Sequence, residues 1–207
     1  MKIRLLFFIP LLFILFSCTI FAQGYELIKK PELQKEIIAL YQRDQSIRKE
    51  IYQNGKVKTL DFDGQNKLNK LNNFNVNRLK TIIKKHGWPG ISQVGQVAEG
   101  DVWALVQHAD NNPEFQKECL KLLQKAYKNG DTKGMQLAFL TDHIRIKEGR
   151  PQLYGTQAKI DFENQKFNFL PIEDSVNIDK RRDKLGLMPL KEYYKLLMDS
   201  YFPKKKK

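Results

Sequence analysis

Apolar residues recur three and four apart along most of the chain, the spacing that places them on one stripe of a helix. Leu33, Ile37, Ile38 and Tyr41 define a first helix over Pro31 to Glu50, with Pro31 suited to the first turn and Asn54-Gly55 to the turn that follows. A second tract runs through Leu68 and Leu71. The asparagine-rich piece Asn72 to Asn77 predicts a break after it, with an asparagine capping a helix that carries Leu79, Ile82 and Ile83 and stops at Gly87. His86-Gly-Trp-Pro-Gly90 reads as a rigid corner, where Trp88 plugs a core or, less simply, stacks on a ligand.

Val94 to Ala98 leads into a central helix, Trp103 to Asp110, which mixes core residues with Gln107, His108 and Asp110. Asn111-Asn-Pro113 restarts the chain, with Asn112 as cap and Pro113 in the first turn of a helix burying Phe115, Cys119, Leu122, Leu123 and Ala126. Met135, Ala138, Phe139, Ile144 and Ile146 mark another helix before Gly149. The period then changes to alternation. Gln152 to Phe162 and Lys166 to Leu170 predict a two-stranded hairpin turning near Asn164. A charged helix through Asp179, Arg181 and Arg182 ends near Gly186, and Pro189 opens a last helix with Leu190, Tyr193, Leu196 and Leu197. The expected fold is mainly α: a compact multi-helix domain with one small β-hairpin near residues 152–170.

Composition adds a destination. Lys2 and Arg4 precede an almost unbroken apolar run, Leu5 to Phe16, and Ala22 offers a cleavage site before Gln23. Residues 1–22 therefore read as a signal peptide, 23–203 as a single helical domain and 204–207 as a basic tail. The expected location is periplasmic or secreted. A lipid anchor through Cys18, in Leu15-Phe-Ser-Cys18, is the lesser reading because Phe16 is bulky for that site. Past Ala22 only Cys119 remains, which excludes an internal disulfide and leaves packing to hold the fold. The net charge is +13, or +11 once Lys2 and Arg4 are removed. In an exported chain this favours loose, salt-sensitive association with an anionic envelope surface, with no nucleic acid as partner.

Candidate chemistry is sparse. Neither a phosphate loop nor a nucleophile elbow occurs, and no cofactor is expected. His108 can shuttle protons near neutrality, and a carboxylate such as Asp142 could orient it as a general base; the simpler reading is a core histidine bonded to its neighbours. Asp110 suits an Asx turn. A metal drawn by His108, Asp110, Asp142 and His143 would match no known ligand spacing, so no metal is expected. Read as a strand, Gln152-Leu-Tyr-Gly-Thr-Gln157 projects Gln152, Tyr154 and Thr156 to one side and Gln157 to the other. That is either a hydrogen-bonding wall for a ligand or a set of bonds to loop backbones. Arg181 and Arg182 could edge such a pocket, or pair with Glu173 and Asp174.

Several motifs in fixed order resemble one family. They are Gly87-Trp-Pro89, Val94-Gly95, Leu105-Val-Gln-His-Ala-Asp110, Pro113-x-Phe-Gln116 and Leu140-Thr-Asp142. Further on come Gly149-x-Pro-Gln-x-Tyr-Gly-Thr-Gln157, Pro171-Ile-Glu-Asp174, Asp179-x-Arg-Arg182 and Gly186-Leu-x-Pro-Leu-x-Glu-Tyr193. Across about residues 75–195 the chain resembles the bacterial domain of unknown function 6624 family, whose members more often carry Arg at the position of His143. The resemblance implies a domain and no established activity. The expected function is an exported bacterial envelope protein binding a small polar or peptide-like ligand through Gln107, Gln152, Tyr154, Thr156, Gln157, Arg181 and Arg182. The alternative is a hydrolase using His108 as general base, with Asp142 beside it.

Overall fold

The computed structural model describes residues 28–52 and 62–203. The expected signal peptide, the Cys18 anchor, the Asn54-Gly55 turn and the basic tail lie outside the described residues. Among those described, seven α-helices and one antiparallel hairpin make a mainly α protein: α1 Pro31–Tyr52, α2 Phe62–His86, α3 Ile91–Gln107, α4 Pro113–Lys128, α5 Gly134–Lys147, β1 Ala158–Asp161, β2 Lys166–Phe169, α6 Ile178–Asp183 and α7 Leu190–Tyr201. No described helix is long and apolar enough to cross a membrane. Of the described residues, those up to Gln136 form one compact unit, and those from Leu137 onward form another.

In the first unit α1 lies along α3, and α2 and α4 also pack on α3. The buried stripe includes Leu33, Ile37 and Leu40 of α1, Leu79 and Ile82 of α2, and Val102, Leu105 and Val106 of α3. The helix break expected at Asn72 to Asn77 does not occur; α2 runs through the asparagines without interruption. Buried asparagine disfavours helix when its amide competes for the backbone, but here the amides are engaged elsewhere. Asn72 Oδ1 accepts from Arg48 Nη2 at 2.5 Å, and Asn75 Nδ2 donates to Asp44 Oδ1 at 3.0 Å. Tertiary partners across α1 override the local signal.

Gly87, at φ +71°, ends α2 as its position predicts. Inside α3, Gly95 (φ +80°) interrupts the helical dihedrals, and a Cβ there would meet Ile28 Cδ1 at 2.8 Å. Only glycine satisfies both the backbone and the space. Asn112 and Pro113 do occupy the cap and first position of α4, although the Asn112 side chain makes no capping bond.

In the second unit the hairpin is shorter than the alternation suggests. Ala158 pairs with Phe169 and Asp161 with Lys166, and Asn164 closes the turn by donating its N–H to Asp161 Oδ1 at 3.0 Å. Phe167 and Phe169 pack against Tyr193, Tyr194 and Tyr201 of α7. The Phe167–Tyr201 rings meet edge to face at 5.3 Å, a geometry worth about 0.5–1.5 kcal/mol beyond the area buried.

The segment expected as the start of the first strand is a loop instead. Only Gln152 makes a bridge, parallel to Ile172, and residues 153–157 wrap around the Asp142 carboxylate. Four donors aimed at one buried acid outweigh the ladder bonds that extending the hairpin back through residues 153–157 would have made.

Candidate functional site

The first unit holds a polar seam between α1, α2 and α3. Its centre is Asp44, wholly buried on α1. Arg48 Nε donates to Asp44 Oδ2 at 2.8 Å and Gln45 Nε2 donates to the same oxygen at 3.1 Å, while Asn75 holds Oδ1. His108, at the C-terminal cap of α3, places Nδ1 2.8 Å from Asp44 Oδ2. The Asp44 side chain is inaccessible, yet the imidazole remains 27 % exposed. A buried acid thus orients a ring that reaches solvent, an arrangement known for fixing a histidine's tautomer.

The electrostatics agree with that role. Burial pushes the Asp44 carboxyl upward, but His108 and Arg48 outweigh it and hold the group below its ordinary value. Burial first, with Arg48 adding, holds His108 below the usual imidazole range against the pull of Asp44. Near neutrality the ring is therefore uncharged and Asp44 is ionised. Nδ1 lies within reach of the acid without an aligned hydrogen bond; a proton on Nδ1 faces the carboxylate and leaves the lone pair on Nε2.

Three further groups border the seam. Asp101, two turns before His108 on α3, is 4 % exposed and has no hydrogen bond or ion pair among the described residues. Burial alone pushes its carboxyl up to about 6. Tyr41 of α1 feels it: burial, then the fields of Asp101 and Asp44, raise the phenol above its ordinary value. Gln107 is half-buried, with Oε1 lacking a donor.

Elsewhere on α3, Glu99 is wholly buried and faces a different set of partners. Trp88 Nε1 and Thr132 Oγ1 donate to Oε1 at 3.1 and 2.6 Å, and Gln136 Nε2 donates to Oε2 at 2.6 Å. Burial lifts this carboxyl to about 7 against those donors. The Trp88 corner is therefore a core plug tied to an acid. A groove of about 370 Å³ between α2 and α4, lined in part by Lys80, Lys84 and Phe115, contains none of the expected site residues.

The second unit gathers the other expected residues around Asp142. Leu153 N–H donates to its Oδ1 at 2.7 Å, Tyr154 N–H reaches both oxygens at 3.1 Å, and Thr156 donates both N–H and Oγ1–H to Oδ2 at 3.0 Å. Gln152 is wholly buried; its Nε2 donates to Gln157 O and Leu170 O, and its Oε1 accepts from Gln157 N. The Gln157 amide donates to Thr156 Oγ1 at 3.1 Å. Arg181 donates to the carbonyls of Leu153, Glu173 and Asp174, and Arg182 to those of Met188 and Tyr154. These residues are brought together, and their donors are spent on main chain, on Asp142, on Asp174 or on one another. The carboxylate beside His108 is Asp44, which sequence reasoning passed over because an aspartate among the charged residues of α1 carries no local mark. Among the described residues no group of three or more His, Cys, Asp or Glu side chains could hold a metal ion.

The helical units, the small hairpin and these two buried aspartates define a protein of mainly α class in which one buried acid meets a partly open imidazole. Residues 31–206 match the model of the Family of unknown function (DUF6624), and the chain belongs to that family. No curated protein and no solved structure matches it.

Proposed function

We propose that this is an exported envelope protein that hydrolyses a small polar or peptide-like ligand, with His108 as general base and Asp44 orienting it. The observation that carries the reading is the 2.8 Å approach of a wholly buried carboxylate to Nδ1 of a partly exposed histidine. That pairing leaves Nε2 to take a proton from water. The depressed basicity of His108 keeps the ring in its accepting form at neutral pH. Export is supported by the N-terminal run from Lys2 to Ala22, and loose association with anionic envelope surfaces by the excess of Lys and Arg over Asp and Glu in the rest of the chain. Gln152, Thr156, Arg181 and Arg182 then serve as the frame of the second unit, since each donates to main chain or to Asp142.

The test is turnover of ester, amide and phosphoester substrates by the purified chain and by His108→Gln. The wild type should gain kcat/KM as pH rises through an inflection below the ordinary histidine value. Positioned general bases contribute about 10²–10⁴-fold, so H108Q should lose activity on that scale while melting within a few degrees of the wild type. Undiminished turnover in H108Q would overturn the assignment, as would the absence of turnover across the panel.

A further inference from the structure

We propose that the His108 site takes a substrate bearing a donor-rich cation, an ammonium or guanidinium, and that Asp101 anchors it. This rests on the reading of His108 as the working centre and names the substrate class for it.

Two acceptors beside the seam lack donors. Asp101 is 4 % exposed and Asn75 2 % exposed. Burying a polar group without a partner costs about 1–3 kcal/mol, and more for a charge. Asp101 nevertheless makes no hydrogen bond or ion pair among the described residues, and Asn75 Oδ1 has no donor. The Asn75 amide cannot simply be turned over, because its Nδ2 is committed to Asp44 Oδ1 and the reversed amide would set oxygen against oxygen. Both groups border the same seam. Asn75 touches Asp44, and Tyr41 feels the fields of both Asp101 and Asp44. The nearby cation, Arg48, is already spent on Asp44 and Asn72. What the seam lacks is a group with several N–H donors and a positive charge.

Spacing narrows the class. Asp101 and His108 are seven residues apart, so two helical turns, about 10 Å, separate them on one face of α3. That is the reach of an extended lysine or arginine side chain together with its carbonyl group. With the cation at Asp101, the carbonyl carbon comes to His108. Water then adds its oxygen to that carbon as His108 Nε2 takes the water proton. The acyl bond breaks, and the same proton passes to the departing nitrogen or oxygen. Water is the only co-reactant. Burial lifts the Asp101 carboxyl to about 6, so it is ionised and available to a cation at neutral pH.

The experiment uses Nα-acetyl-L-lysine methylamide and its uncharged norleucine counterpart as binding probes, and the two methyl esters as substrates. Wild type, Asp101→Asn and H108Q are compared. The wild type should bind the lysine amide at least 10-fold tighter than the norleucine amide by chemical-shift titration, D101N should lose that preference, and H108Q should keep it while losing ester turnover. D101N removes an unpaired acid, so its melting temperature at pH 8 should not fall, which separates lost binding from lost folding. Equal binding of both amides by the wild type, no binding of either, or a preference that survives in D101N would overturn the anchor. Turnover that survives in H108Q while D101N abolishes the preference would instead remove the general base and leave the anchor standing.

Discussion

Asp44 and Asp142 are both wholly buried, each in its own unit, and each satisfies several donors. Their surroundings differ in kind. Asp142 takes three backbone N–H groups and a hydroxyl from the four residues Leu153 to Thr156, none of which gains or loses a proton in the physiological range. Asp44 takes only side chains, drawn from three helices, and one of them is an imidazole open to solvent. Backbone donors fix a loop's shape. A titratable side chain on a buried acid can also move a proton, and that contrast separates a structural knot from a working centre.

The largest loss of stability is expected at the Asp142 knot. Asp142→Ala leaves several buried donors unpaired, each costing about 1–3 kcal/mol; a total loss of about 4 kcal/mol is expected in urea denaturation. If the loss is below about 1 kcal/mol, the loop does not depend on this carboxylate. Asp44→Asn should cost about 3 kcal/mol, since it removes the charge that Arg48 is buried against. It should also lower the His108 pKa further, because Asp44 is the group that pulls it upward; a ¹⁵N NMR titration of the ring checks the sign.

Asp101 sharpens the contrast through pH. Its folded carboxyl titrates near 6, above its ordinary value of 3.8. The folded protein therefore keeps a proton that the unfolded chain has released, and stability falls as pH rises from about 4 to about 6. D101N should remove that loss, gaining about 2 kcal/mol at pH 8 and almost nothing at pH 4, as read from denaturation midpoints. No gain at pH 8 would mean that Asp101 has a partner in solution. Smallest in stability is H108Q, expected within about 1 kcal/mol because the ring is partly exposed, although its effect on turnover is the largest.

Much of the scaffold was readable as periodicity and punctuation. The stripe of α1, the Asn112-Pro113 restart, Gly87 and Gly186 as stops and Pro189 as a start all act through local backbone preferences. What escaped was decided by residues distant in sequence. Asn72 and Asn75 read as a break because their partners, Arg48 and Asp44, are 24 and 31 positions away. Residues 152–157 read as strand because alternation cannot reveal an acid 11 to 14 positions earlier. His108 could be singled out by chemistry alone, whereas Asp44 needed coordinates.

Glu99 and Asp101 stand two positions apart on α3, a placement that turns their side chains toward nearly opposite sides of the rod. One faces Trp88, Thr132 and Gln136, the other the neighbourhood of Tyr41. Each acid has its own surroundings, and burial is the first cause that raises both carboxyls. A single rod thus carries two buried acids back to back, each holding its proton to a higher pH than a carboxyl in water.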